Sequence, residues 1–289
     1  KTDASRSQGN LYRVAVMTPA AALAFLIEYH RKHHCRHVYL VTGRTSFKLS
    51  GAEKTLKPYF EGIQTLTHFD GVPKNPHVES VETAARLVNS SRPDLIIAIG
   101  GGSAMDLAKA LALRLSSGRS ATECLNPEVA KSTLALPLIA IPTTTGTGSE
   151  VTRFAVIYQG KTKHSISSPS LLPRHALLVP EFTLAQPAAV RKAAAFDALT
   201  QACESYWARS ANEDSKTHAM EAIKLLTPRL KNGLEHFSLA DAEDVQLGAH
   251  LAGKAIDCTR TTAPHALSYA LTMDYGVDHG HAVGVLFPK

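Results

Sequence analysis

Between residues 11 and 180 the chain alternates short β-rich runs with segments long enough to be helices. This alternation constrains the fold more than any other feature. The strand-like runs are Val38–Thr42, Ile63–Phe69, Leu95–Ile99, Leu138–Pro142 and Ala155–Tyr158, with helical patterns at Ala20–His33, Ser50–Phe60, His77–Ser90 and Ala104–Ser117. Strands separated by helix-length segments predict a parallel sheet with crossover helices, hence an α/β class. Such sheets bind ligands beyond the carboxyl ends of their strands.

From about Pro187 the pattern changes. Ala, Leu, Glu and Lys dominate, β-rich runs stop, and Ala188–Ala208, Glu213–Phe237 and Leu239–Ile256 carry helical periodicity. The expected organisation is an α/β domain with a parallel sheet over residues 1–182 and an all-helical domain over 183–289, without an internal repeat or a low-complexity linker. The apolar run Ala282–Phe287 stops at Pro288-Lys289. A domain rarely ends on so much unburied apolar surface, so the expectation is a truncated C-terminal part.

Bulk properties narrow the function. A chain of 289 residues, 44% hydrophobic and 19% charged, is of a size and composition for a globular protein of two domains. No apolar run reaches the ~18 residues that a membrane span needs. The opening KTDASRSQGN has no signal-peptide core, which predicts a cytoplasmic location. Cys35, Cys124, Cys203 and Cys258 show no CxxC spacing, so buried free thiols are expected. The net charge is +6, but basic residues are scattered, apart from a modest cluster at Arg31, Lys32, His33, His34, Arg36 and His37. Nucleic acid needs a concentrated stripe; a diffuse positive field suits anionic small substrates and phosphorylated cofactors.

Two loops at predicted strand ends carry chemistry. Gly100-Gly101-Gly102-Ser103 opens a helix, where close backbone approach and free N–H groups suit a pyrophosphate. Taken alone it fits a tight turn equally well, and its spacing is not GxGxxG. The loop from Pro142 to Glu150, PTTTGTGSE, offers several hydroxyls to a polar ligand. Asp197 and Gln201, four apart, share a helix face, and His265 precedes His279 by 14 residues. One carboxylate with two imidazoles suits Fe(II) or Zn(II). Each of these histidines alone is more often a packed or surface residue, and the chain holds 14 in all.

Together Asn75-Pro76, GGGSAMDLAK, PTTTGTGSEVT, the FDALTQA helix, His265 and the HGHA turn at His279 resemble the iron-containing, or group III, alcohol dehydrogenases over nearly the whole chain. The resemblance implies a dehydroquinate synthase-like fold whose α/β part is a Rossmann-like nucleotide-binding domain, a homodimer, and a metal-dependent NAD(P)H-linked alcohol dehydrogenase or aldehyde reductase acting on a small aldehyde or alcohol. With no apolar span and no basic stripe, neither a membrane nor a nucleic acid is expected as a partner. The resemblance also implies metal ligands at Asp197, Gln201, His265 and His279; protonation of the product alkoxide would come from water, Tyr269 or His281. It implies a nicotinamide site at Gly43, Arg44, Ser46, Asn75, Gly101, Gly102, Ser103, Thr143, Thr144, Thr147, Thr152, Phe154, Lys163 and Thr183. The chain departs from the family pattern in three ways. Gln201 stands where the family has His, which should weaken the metal site; Tyr269 stands where another His is common; and the family continues into further helices. Two other readings are a dehydroquinate synthase-like cyclase or lyase, and a non-catalytic nucleotide-binding homologue. The wording AFDALTQACESYW, TTAPHALSYALT and YGVDHGHAV looks most like the phosphonoacetaldehyde reductase branch. An anionic substrate would need a cation, and Arg153 and Arg260 lie near the motifs. After the second predicted strand, position 43 carries no acid to repel a 2′-phosphate, while Arg44, Ser46 and Lys48 can bind one; NADPH is therefore expected over NADH.

Overall fold

The computed structural model describes residues 13–89 and 91–287. Its first part runs β1 (Arg13–Val16), α1 (Pro19–His33), β2 (His37–Thr42), α2 (Ser46–Leu49), α3 (Ala52–Glu61), β3 (Thr65–Phe69) and α4 (Val78–Arg86). It continues with β4 (Leu95–Gly100), α5 (Gly102–Ser117), α6 (Pro127–Ser132), β5 (Leu138–Pro142), β6 (Phe154–Gln159), β7 (Thr162–Ser167) and β8 (His175–Leu178). Six strands form one sheet in the order β1-β8-β5-β4-β2-β3, with every described pairing parallel. Helices cover both faces. Tyr39, Val41, Ile96 and Ala98 pack with Val81, Met105 and Leu111 of α4 and α5 on one side. Val38, Leu40, Ile97 and Ile99 pack with Leu26 and Leu56 of α1 and α3 on the other. Burial on both faces is why β2 and β4 are almost continuously apolar.

A helical part follows: α7 (Ala188–Trp207), α8 (Glu213–Lys231), α9 (Leu239–Thr259), α10 (Ala263–Tyr275) and α11 (His279–Leu286). Asn212 with Ser215, and Ser238 with Asp241, form capping boxes that start α8 and α9. Alanines at 195, 198, 202, 219, 222, 249 and 252 fill most of the core between α7, α8 and α9, and small side chains let helix axes approach. Among the described residues no helix is long and apolar enough to cross a membrane.

Several expectations need correction. Ala155–Tyr158 is a strand outside the main sheet: β6 pairs antiparallel with β7 across a two-residue turn at Gly160, whose φ is 56°. The sheet's outer members β1 and β8 went unassigned because each is only four residues long. The helix expected at Ser50–Phe60 is α3, which starts only at Ala52, after Gly51 with φ 80°, and the short α2 before it went unassigned. The one expected at His77–Ser90 ends at Arg86, and Ser90 lies outside the described residues. The one expected at Glu213–Phe237 stops at Lys231, before the positive-φ pair Gly233 and Leu234. All four cysteines are free, but only Cys35 and Cys124 are buried; Cys203 is half-buried and Cys258 exposed.

Candidate active site

Register brings the two motif loops side by side. Gly100 at the end of β4 is paired with Pro142 at the end of β5, and the Thr143 N–H donates to the Gly100 carbonyl at 2.9 Å. Beyond them, Gly101, Gly102, Ser103, Thr144 and Thr147 line a cleft of about 750 Å³. The N-terminus of the 16-residue helix α5 opens into it, presenting the unpaired N–H groups that favour anions. The opposite wall comes from α7, α10 and the start of α11.

A buried strut fixes the loops from beneath. Lys109 Nζ lies 3.1 Å from Ser149 Oγ, 3.2 Å from Thr152 Oγ1 and 2.8 Å from the carbonyls of Thr152 and Phe154. Asp106, one turn earlier on α5, accepts from Ser149 Oγ at 2.6 Å and from the Val156 N–H at 3.0 Å. Burial lowers the Lys109 amine to about 8 against the pull of Asp106. The sequence flagged Thr152 and Phe154 as cofactor residues; both line the cleft, and both also serve as acceptors of this strut.

Asp197, Gln201, His265, Tyr269 and His279 meet on the facing wall. His265 Nε2 is 3.0 Å and His279 Nε2 3.9 Å from Asp197 Oδ1, and one ligand-type atom from each of the three lies within 4.8 Å of the others. Donors bound at about 2.1 Å around a tetrahedral ion stand about 3.4 Å apart, a value these two distances bracket. Gln201 Oε1 is buried without a hydrogen-bond partner, a vacancy in polar satisfaction that an ion would fill. The donor set thus fits a divalent cation. His279 is brought over Asp197 because a Cβ at Gly280 would stand 2.3 Å from the Ala193 carbonyl oxygen; only glycine lets α11 start so close to α7.

Electrostatics reinforce the cluster. Burial works against a charged His265, but hydrogen bonds and charges from Asp197 and Glu204 prevail and raise its imidazole to about 9. Burial likewise pushes Asp197 up, and the His265 hydrogen bond with both imidazole charges overrides it, so its carboxyl is held below the usual value. His279 is lowered, chiefly by burial. Glu204 was not singled out from sequence. It is fully buried, faces His265 Nδ1, and accepts from the Thr262 and His265 N–H groups. Its signal was available: 197, 201 and 204 follow i, i+4, i+7 spacing, a polar stripe on one helix face.

Other candidates divide. Asn75, with φ 56°, and Lys163 line the cleft. The β6–β7 hairpin carries Lys163, whose amine sits 3.6 Å above the Tyr269 ring and is lowered to about 8 by burial. Tyr269 in turn stacks on His279. Gly43, Arg44 and Ser46 cluster past the end of β2, outside the cleft lining, with Arg44 Nε 3.8 Å from Asp70. Thr143 and Thr183 are buried behind the loops, the latter donating to the Pro180 carbonyl. His281 is exposed and off the cleft wall, because residues two apart on a helix face different ways. Arg153 is committed to Asp257 through contacts of 2.6–3.1 Å and does not line the cleft, whereas Arg260 does.

Two family models match: iron-containing alcohol dehydrogenase over residues 15–180, and the C-terminal domain of that family over 192–289. The chain is 33% identical over 271 residues to long-chain-alcohol dehydrogenase 1 of Geobacillus thermodenitrificans, covering 92% of this chain and 68% of that protein. It is 34% identical over 247 residues to phosphonoacetaldehyde reductase of Streptomyces viridochromogenes, covering 82% and 60% respectively. Among solved structures, sulfoacetaldehyde reductase from Bifidobacterium kashiwanohense, determined with NAD+, superposes with a TM-score of 0.84 at 28% identity, over 99% of this chain and 76% of that one. The matched fold, the two family models and the loop and ligand motifs agree: the chain belongs to the iron-containing alcohol dehydrogenase family.

Proposed function

We propose that the cleft is the site of a metal-dependent, NAD(P)H-linked aldehyde reductase acting on small aldehydes, with phosphonoacetaldehyde, reduced to 2-hydroxyethylphosphonate, as the substrate. The observation that carries this reading is the meeting of the Asp197–His265–His279 donor set with the glycine and threonine loops in one cleft. A nucleotide loop alone would serve binding, and a metal cluster alone would serve hydrolysis; together they suit hydride transfer to a polarised carbonyl. When bound, the divalent ion supplies Lewis-acid polarisation and the nicotinamide supplies hydride.

The chain's own residues do the rest. Backbone N–H groups of Gly101–Ser103 bind the pyrophosphate, and Thr144 and Thr147 add hydroxyl donors beside them. Asp197, His265 and His279 hold the ion, with the Gln201 amide oxygen as a weaker fourth donor. Glu204 orients His265 through Nδ1, so that Nε2 faces the cleft. Tyr269 is the proton donor to the product alkoxide: its ring lies against His279, and partial burial together with the Glu204 and Asp197 charges holds its hydroxyl protonated. Arg44 and Ser46 favour NADPH, reaching a 2′-phosphate at the edge of the cofactor site. The related phosphonoacetaldehyde reductase supports this choice of substrate, and the sulfoacetaldehyde reductase structure supports a short aldehyde with an anionic tail. The test is a panel of aldehydes given to metal-reconstituted protein with NADPH and NADH, following cofactor oxidation. Steady NADPH consumption with phosphonoacetaldehyde is expected; no cofactor oxidation with any aldehyde would contradict the reading.

A further inference from the structure

Arg260 is an anomaly of both backbone and charge. It caps the C-terminus of α9 with φ 70° and ψ 171°, a combination that glycine adopts and that strains any residue with a Cβ. It is not the left-handed cap that commonly ends helices, whose ψ lies near +47°. Both flanks hold it there. Its own N–H donates to the Ile256 carbonyl at 2.7 Å. Thr259 Oγ1 lies 2.8 Å from Ser205 Oγ and 3.1 Å from the Arg260 carbonyl. On the other side, Thr262 binds the buried Glu204 carboxylate through both its N–H and its hydroxyl, each at 3.1 Å. Glu204 also contacts His265, so the strained residue is tied to the same carboxylate that orients the metal-ligand imidazole.

The guanidinium gains nothing from this placement within the fold. Arg260 is exposed at the cleft wall and has no ion-pair partner among the described residues, unlike Arg153, which is bound to Asp257. The other cleft cations are engaged: Lys74 is paired with Asp278, and Lys163 sits over Tyr269. Backbone strain that persists without a structural return points to function.

We propose that Arg260 is the specificity residue of the cleft, its fork binding the tetrahedral oxyanion tail, phosphonate or sulfonate, of a short aldehyde whose carbonyl faces the Asp197–His265–His279 cluster. This rests on the reductase reading above. A guanidinium matches such an anion with two parallel hydrogen bonds. The strained backbone and the shared Glu204 fix the spacing between tail and carbonyl sites, so chain length between the two groups is selected along with charge.

The experiment compares wild type with Arg260→Met, Arg260→Ala and Arg260→Gly. For each, kcat/KM is measured for phosphonoacetaldehyde, sulfoacetaldehyde and propanal, binding of 2-hydroxyethylphosphonate by calorimetry, and melting temperature. Loss of a charge-assisted contact should lower the ratio of kcat/KM for phosphonoacetaldehyde over propanal about 30-fold in Arg260→Met, with weaker phosphonate binding. A similar fall for sulfoacetaldehyde assigns the site to tetrahedral oxyanions in general; a fall confined to phosphonoacetaldehyde assigns it to the dianion. Arg260→Gly should melt above Arg260→Ala, reversing the usual order. If wild type reduces no aldehyde yet binds 2-hydroxyethylphosphonate through Arg260, the reductase reading fails and the anion site stands. Equal losses on all three aldehydes, or phosphonate binding indifferent to position 260, overturns the proposal.

Discussion

Two buried polar assemblies flank the cleft and are built in opposite ways. Beneath the threonine-rich loop, the Lys109 amine has four acceptors within 3.2 Å, and each Asp106 carboxylate oxygen has a donor. Across the cleft, Gln201 Oε1 is buried with no partner, and Asp197 opens onto the cavity between two imidazoles. The first is a closed network, of the kind that rigidifies a fold. The second leaves polar capacity unspent in a place that water reaches. The contrast separates a polar group that holds the structure from one that awaits a ligand, even though both sit on helices facing the same cleft.

That contrast can be broken by substitution. Lys109→Met should cost about 3 kcal/mol of stability, because it strands the Asp106 charge and leaves the loop carbonyls unpaired. Denaturant unfolding reads this directly, and a loss below 1 kcal/mol would show that the strut carries little. Glu204→Gln should leave the fold in place and weaken divalent-metal binding about 10- to 100-fold, by removing the partner that orients His265. Metal titration against a competing chelator measures it; unchanged affinity would remove Glu204 from the site.

A pH dependence sharpens the same comparison. The His265 imidazole is raised to about 9 by Asp197 and Glu204 against its burial, so below that pH the metal must displace a proton. Apparent affinity should therefore climb about tenfold per pH unit from neutrality toward pH 9 and then level off. A flat profile over that window would mean that His265 is already neutral in the metal-free protein. The smallest effect expected is on cofactor choice. A Cβ at Gly43 would meet only the Ser46 side chain closely, with its hydroxyl 2.4 Å away, and that hydroxyl can rotate. Gly43→Asp should therefore fold and shift the kcat/KM ratio from NADPH toward NADH. An unchanged ratio counts against recognition of the 2′-phosphate at this strand end.

How much was legible in sequence depended on whether the cause was local. β2, β4 and β5 were readable because burial on both faces makes them nearly continuous apolar runs. β1 and β8 were not, since four residues carry too little pattern and their pairing is set by the sheet. β6 read as one more sheet strand because its neighbour β7, TKHSIS, is polar and only the hairpin reveals it. The members of the Asp197–His265–His279 cluster were legible through their motifs, but the helices α10 and α11 that carry His265 and His279 were not. Lys109 lay inside a recognised motif, yet its acceptors are 40 to 45 residues further on, beyond any local signal. The same holds for Arg153, neutralised by Asp257 at a separation of 104 residues. It could not be told from Arg260 until the chain was folded.

The central claim is that Asp197, His265 and His279 hold the ion on which aldehyde reduction depends. Its most direct test is to strip the protein with a chelator, restore Fe(II) or Zn(II) stepwise, and follow NADPH oxidation by phosphonoacetaldehyde alongside bound metal, in wild type and in His279→Ala. Loss of a ligand should remove several kcal/mol of barrier stabilisation. The account predicts that wild-type activity vanishes on stripping and returns in proportion to bound metal, while His279→Ala stays folded, metal-poor and inactive. Full activity in the stripped wild type, or in His279→Ala, would contradict it.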